Sequence, residues 1–234
     1  MQKLLVVTLL WVTLTGYSQG QNPAPSPSPG ALAPMQAPAP AVVVAPAPAP
    51  VLETKLVVSI PEQKLAVVVK NKVVRTYRIS TSRYGEGDAL GSWCTPVGRL
   101  VVATKIGATV PVGGVFYGRR YTGEILSVNA PGRDPIVSRI IWLRGLDERT
   151  RNAFHRCIYI HGTPKEDSLG KKSSYGCIRM RSSDVVEIFN WVTAGTDVAI
   201  VDKPMNRAVK DLADEHVLAA TNVARQEEKS AVLR

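Results

Sequence analysis

Ile158-Tyr-Ile-His-Gly-Thr-Pro164 and Ser174-Tyr-Gly-Cys-Ile-Arg-Met180 are the two stretches whose reading decides the rest of this chain. The first ends an apolar run on a histidine, and the second sets a glycine in a turn directly before Cys177. His161 and Cys177 stand sixteen residues apart, bridged by a polar, lysine-rich interval. An imidazole beside a thiol lowers its pKa and holds the thiolate, so two such residues that converge across a loop form a candidate catalytic dyad. Alone, His161 would read as a satisfied core histidine and Cys177 as a small buried hydrophobe. Their neighbours change that reading. Gly162 leaves its backbone accessible, so its carbonyl can fix the imidazole tautomer, the task of the third member of a triad. Gly176 permits a backbone geometry that other residues resist. The successive amides of Tyr175, Gly176 and Cys177 can then converge as an oxyanion hole. Ser174 either stabilises this turn or contacts substrate. Arg179, two residues beyond Cys177, faces the same side of an extended segment and can take a carboxylate in a bidentate grip, the alternative being a solvated side chain. Arg181 reads as solvated.

Upstream, the pattern is that of strands. Lys55 to Ile60, Leu65 to Val69 and Val73 to Ile79 are rich in β-branched residues and separated by a Pro61-Glu-Gln turn and a tight Lys70-Asn-Lys connection, which predicts two hairpins. Ser80 to Asp88 is a loop by composition, Thr95-Pro-Val-Gly98 a turn, and Arg99 to Lys105 a further strand. Gly107 to Pro135 is glycine-rich and reads either as a lid over the site or as a pair of short edge strands. Ile136 to Leu143 is an apolar strand whose Trp142 is expected in the core rather than against substrate. Cys157 to His161 reads as a short buried strand. Downstream, Ser182-Ser-Asp184 offers a helix cap, and Val185, Ile188, Phe189 and Val192 recur at helical spacing until Gly195. Thr196 to Val201 reads as a closing strand.

The ends of the chain differ in kind. Residues 1–20 carry Lys3, an apolar run from Leu4 to Leu14 and small and polar residues after it, the layout of a secretory signal, with an uncleaved anchor as the alternative. No cysteine follows the run to carry a lipid. Residues 21–52 hold ten of the 17 prolines and no charge until Glu53, a composition that cannot bury a core and predicts an extended, disordered tether. Residues 53–203 form the globular domain, and residues 204–234 a weakly amphipathic helical tail with His216 on its surface. Of the formal charge of +10, nine units fall within 53–203, where 23 Lys and Arg oppose 14 Asp and Glu. For an exported protein this basic surface faces cell-wall polymers, anionic head groups or acidic peptides rather than nucleic acid, or serves solubility alone. Three cysteines are an odd count for an exported chain; Cys94 and Cys157 either pair or remain buried thiols.

Neither the three histidines nor the three cysteines show the paired spacing of a metal site, and no phosphate-cradling glycine loop is present. His161-Gly-Thr followed by Ser174-Tyr-Gly-Cys-Ile-Arg-Met180 resembles the signature of the L,D-transpeptidase catalytic domain of YkuD type, found in bacterial cell-wall enzymes, and the likeness spans about residues 54 to 202. The resemblance implies a mainly β, sandwich-like fold with one or two short helices. It implies acyl transfer on peptidoglycan stem peptides: Cys177 attacks the carbonyl between the diaminopimelate at position three and the following D-alanine, D-alanine leaves, and an amine resolves the thioester, with His161 as general base and acid. By the same resemblance carbapenem-type β-lactams acylate Cys177, no cofactor is required, and a monomer is expected. Tyr175 departs from the pattern, since histidine is common there, and no separate wall-binding module is apparent. Water in place of the amine would give an L,D-carboxypeptidase, and a protein amine would give attachment of a protein to the wall. Papain-like enzymes and wall endopeptidases place the cysteine before the histidine, the reverse of the order here. A wall-binding module with a dead site is opposed by the presence of the full dyad.

Overall fold

The computed structural model describes residues 54–232; the signal segment and the tether, 1–20 and 21–52, lie outside them. Strands β1 (Thr54–Ser59), β2 (Lys64–Val69) and β3 (Lys72–Ser80) form an antiparallel meander. The β2–β3 turn places Lys70 and Asn71 at φ of 48° and 60°, the backbone that a two-residue hairpin of matching twist demands. In β1 and β2 the apolar run is continuous because both sheet faces are covered. Leu56, Val58, Leu65 and Val67 enter the principal core, while Val57, Ala66 and Val68 pack against Met205 and Ala208 of the C-terminal helix α2 (Met205–Val232). The expected C-terminal helix therefore packs its first turns back on the domain.

The remaining strands are β4 (Gly98–Ile106), β5 (Gly114–Tyr117), β6 (Arg120–Ile125), β7 (Ile136–Gly145), β8 (Tyr159–Gly162), β9 (Ile178–Met180) and β10 (Asp197–Val201). The sheet order is β4-β10-β1-β2-β3-β9-β8-β7-β5-β6, and β4 also pairs with β7. That second pairing closes eight strands around the principal core, so that opposite parts of one sheet face each other across it, the sandwich-like, mainly β architecture. Helix α1 (Ser182–Trp191) adds Val185, Ile188 and Phe189 to the same core.

The structure decides one open alternative and changes two local expectations. The segment 107–135 is the pair of short strands rather than an irregular lid: β5 and β6 form a hairpin, with β5 bonded to β7. Cys157 lies in a turn at φ 57°, not in the strand that follows. The cap of α1 is not supplied by Ser182, Ser183 or Asp184, because Arg181 takes the N-cap position with no side-chain cap bond and the Glu166 carboxylate accepts the Ser182 amide at 3.0 Å instead. All three cysteines are free thiols, so Cys94 and Cys157 are not bridged. Trp142 stacks on Phe154 at 4.2 Å and donates its indole N–H to the Phe154 carbonyl, an internal packing role.

Candidate active site

The geometry of the site follows from the seam between β8 and β9. These strands run parallel, with Ile160 opposite Ile178 and His161 opposite Arg179. Side chains alternate between faces along a strand. Ile160, Ile178 and Met180 enter the principal core, so Tyr159, His161, Cys177 and Arg179 share the other face. The histidine and the cysteine thus converge on one side of two neighbouring strands.

Cys177 follows a turn built to close tolerances. Gly176 has φ 119°, a conformation that side chains resist, and a Cβ there would sit tightly, 3.1 Å from the Cys94 carbonyl oxygen and 3.3 Å from Ile158 Cδ1. Buried Ser174 donates its hydroxyl to the Cys177 carbonyl at 2.6 Å and accepts the Gly176 amide at 3.2 Å. Ser174 therefore holds the turn, and it removes Gly176 N–H from the set of three amides expected to converge. The amides of Tyr175 and Cys177 make no hydrogen bond within the described residues. The Cys177 thiol donates to the Cys157 carbonyl at 3.3 Å and accepts the Tyr159 amide at 3.4 Å. Burial pushes its pKa up to about 11, against the opposing pull of the Tyr159 N–H.

His161 is buried. Its Nδ1 sits 2.8 Å from the carbonyl oxygen of Gly162. With the proton on Nδ1 that nitrogen donates to Gly162, and Nε2 keeps its lone pair. Burial drives the imidazole down to about 4, with the Gly162 carbonyl acting in the opposite sense and Arg179 adding to the fall. The resting dyad is therefore a neutral thiol and a neutral imidazole, not the thiolate and imidazolium that the pairing of residue types alone suggests. For both groups desolvation outweighs the hydrogen bonds and charges around them. Gly162 is sterically required as well: a Cβ would meet the Val137 carbonyl oxygen at 2.7 Å.

Arg179 is buried and its guanidinium is largely engaged by the protein itself. One Nη donates to Asp134, and the other to Ser173 Oγ and, at 2.8 Å, to Ser168 Oγ. Of its three nitrogens, Nε is the buried one without a partner among the described residues. The bidentate grip read from the sequence is therefore not free in this arrangement, because a buried guanidinium requires a countercharge and Asp134 supplies it. Asp134 also accepts the Thr163 hydroxyl at 2.5 Å, which ties the connection after β8 to Arg179 on β9. Tyr175 projects outward, 56% exposed.

The sequence reading missed Asp134, Cys157, Thr95 and Arg156. Thr95 Oγ1 donates to the Gly176 carbonyl at 3.0 Å, and Arg156 donates to the Cys94 carbonyl at 2.6 Å while pairing with buried Asp88. None of these stands at a diagnostic spacing. The available signal was indirect: a buried Arg179 implies a carboxylate in some loop, and Asp134 stands where a loop enters β7. Among the described residues no cluster of His, Cys, Asp and Glu is placed to hold a metal ion.

Comparison with known proteins gives a consistent placement. Residues 53–200 match the L,D-transpeptidase catalytic domain (YkuD). YqjB of Bacillus subtilis (strain 168) is 34% identical over 161 residues, covering 69% of this chain and 77% of that protein. Among solved structures, an L,D-transpeptidase from Mycobacterium smegmatis is similar with a TM-score of 0.42 and 16% identity, over 64% of this chain and 58% of the other. L,D-transpeptidase 3 from Mycobacterium tuberculosis, in complex with a faropenem-derived adduct, gives a TM-score of 0.41 and 18% identity, over 64% and 60% of the two chains. The chain thus spans just under two thirds of the length of these solved relatives. On the extent of the domain match and of the likeness to YqjB, this chain belongs to the L,D-transpeptidase family.

Proposed function

We propose that the protein is an exported peptidoglycan L,D-transpeptidase whose nucleophile is Cys177. The observation that supports this most directly is the placement of His161 and Cys177 on one face of adjoining strands, with Nδ1 of His161 held against the Gly162 carbonyl. A tetrapeptide stem binds with the carbonyl of its third residue, diaminopimelate, at the cysteine sulfur. As the sulfur–carbon bond forms, the thiol proton passes to Nε2 of His161, so proton transfer accompanies attack and no thiolate is needed beforehand. The amides of Tyr175 and Cys177 receive the oxyanion of the tetrahedral intermediate. Collapse breaks the carbon–nitrogen bond, the imidazolium returns its proton to the departing amine, and D-alanine leaves a thioester on Cys177. An acceptor amine then attacks the thioester, gives its proton to Nε2, and the sulfur leaves with that proton restored. Ser174 and Arg179 position the turn and the β8–β9 seam. A carbapenem-type β-lactam enters the same path at the first step, with the lactam carbon–nitrogen bond opened in place of the peptide bond.

Replacement of Cys177 by Ala tests the assignment. Release of D-alanine from a tetrapeptide stem is expected to fall by more than about a thousandfold, with little change in melting temperature. Unchanged release would remove Cys177 from the mechanism. Mass spectrometry of the products separates the acceptors, because crosslinked dimers appear when an amine resolves the thioester and shortened monomers when water does.

A further inference from the structure

Three large aromatic side chains stand in solvent within one cluster beside the nucleophile. Tyr84, Trp93 and Tyr175 are 52%, 59% and 56% exposed. The Tyr175 ring lies 5.7 Å from that of Tyr84 at 45° and 5.9 Å from that of Trp93 at 78°. Arg83 rests its guanidinium 4.8 Å from the Tyr175 centroid while donating to the Ser173 carbonyl at 2.9 Å. Trp93 has only this edge-on ring contact among the described residues, so no other ring covers its faces. Contiguous exposed apolar surface of this kind marks a binding site more often than it marks neutral surface.

The cluster is held firmly. Ser82 donates its hydroxyl to the Trp93 carbonyl at 2.6 Å and its amide to Thr95 Oγ1 at 2.9 Å. Thr95 is bonded in turn to Gly176, and Arg156, paired with buried Asp88, holds the Cys94 carbonyl. These bonds keep Trp93 at φ 59°, a conformation that a bulky side chain resists and that persists only where the surroundings impose it. The same loop lies against Gly176, one residue from Cys177.

We infer that Tyr84, Trp93 and Tyr175 form a stacking platform for a pyranose ring of the glycan strand that carries the stem peptide. The inference rests on the reading of Cys177 as a peptidoglycan acyltransferase. The electron-rich face of an aromatic ring attracts the apolar C–H face of a sugar, and Arg83 supplies N–H donors to hydroxyl or acetamido oxygens. Diaminopimelate and D-alanine offer no flat apolar face of ring size, whereas a pyranose does. The reach also agrees: three extended stem residues span about 10 Å, and the platform begins two residues from Cys177 and extends outward in ring-to-ring steps below 6 Å.

The test compares D-alanine release from a disaccharide tetrapeptide and from the same tetrapeptide without sugar. The wild-type protein is expected to favour the sugar-bearing substrate by about tenfold in kcat/KM, and Trp93→Ala and, separately, Tyr84→Ala to bring that ratio near one. Tyr84→Ala guards against misfolding, since Tyr84 is half-exposed and lies outside the core clusters. In parallel, a tetramer of N-acetylglucosamine titrated into the full chain is expected to shift the indole N–H resonance of Trp93 saturably, an effect that does not require a working cysteine. A wild-type ratio near one, or a saturable shift of the Trp93 resonance that survives Tyr84→Ala, overturns the platform. If neither substrate releases D-alanine while the oligosaccharide still shifts the Trp93 resonance and the shift is lost in Tyr84→Ala, the platform holds and the cysteine chemistry is what fails.

Discussion

Strands β2 and β3 meet across the two residues Lys70 and Asn71 and pair antiparallel along their length, whereas β8 and β9 meet in parallel across the connection 163–177 and pair at three positions. The first pair is local, and one of its members, β3, is exposed from Lys72 to Thr76. The second is buried at all seven of its positions. Closing a long connection to gain three pairings is unfavourable on backbone terms alone, so the seam is held by side chains. Gln63 binds the Ile60 carbonyl, the Thr81 hydroxyl and the Thr81 amide, and the Thr81 carbonyl accepts the amides of Ser173 and Ser174 at the far end of the connection. Asp134, Arg179, Ser168 and Ser173 complete the clamp. Backbone propensity builds the sheet, and a buried polar network builds the site within it.

The sharpest way to break this contrast is Asp134→Ala. It leaves the Arg179 guanidinium buried without its carboxylate, a change that costs about 3 kcal/mol when a buried pair is broken from one side. Urea denaturation should report that loss, and D-alanine release should fall with it because His161 lies directly opposite Arg179. A loss below about 0.5 kcal/mol, the scale of an exposed pair, would place the stability of the seam in its backbone pairing instead.

The same contrast explains what the sequence made legible. Strands β1 to β3 are written in β-branched runs and a turn whose residues tolerate positive φ, features that act within a few positions of one another. The candidate pair stood out because Gly162 and Gly176 flank its members, and a Cβ would collide at the first while the second holds φ 119°, which side chains resist. What the sequence did not carry was solvation. Whether a thiol and an imidazole rest charged or neutral depends on how much water the fold removes, and burial here raises one pKa and lowers the other. Nor did it carry the non-local partners: Asp134 and Arg156 are ordinary charged residues until β7 and the turn before β8 bring them to Arg179 and to Cys94.

The burial of His161 gives the seam a dependence on pH in the acid range. An imidazole that titrates near 6.5 when unfolded and near 4 when folded lets the unfolded chain bind the extra proton first. Stability is thus fully present above about pH 6.5 and is lost as pH falls toward 4, by roughly 2–3 kcal/mol from this group. The difference in unfolding free energy between wild type and His161→Asn, followed from pH 7 to 4, should shrink by that amount. A difference that stays constant would mean that His161 titrates alike in the folded and unfolded chain, and that burial does not hold its pKa down. Cys177 acts at the other end of the scale: held up to about 11 when folded, it makes stability fall as pH rises from about 9 toward 11, because the unfolded chain releases its proton first.

The smallest effect belongs to the hairpin, and it tests whether the two pairs are separable. Asn71 holds φ 60° at the β2–β3 turn, a conformation open to Asn and Gly but costly by about 1 kcal/mol for residues with an ordinary Cβ. Asn71→Ala should lower stability by about that amount, and Asn71→Gly should leave it nearly unchanged. Neither should alter D-alanine release from a tetrapeptide stem, since β2 does not pair with β9 and the turn lies at the end of the hairpin away from the two β3–β9 pairings at Ile79 and Ser80. A fall in release that tracks the loss of stability in Asn71→Ala would show that the meander and the seam unfold together at working temperature, and that the site draws its rigidity from the whole sheet rather than from the polar clamp around Arg179.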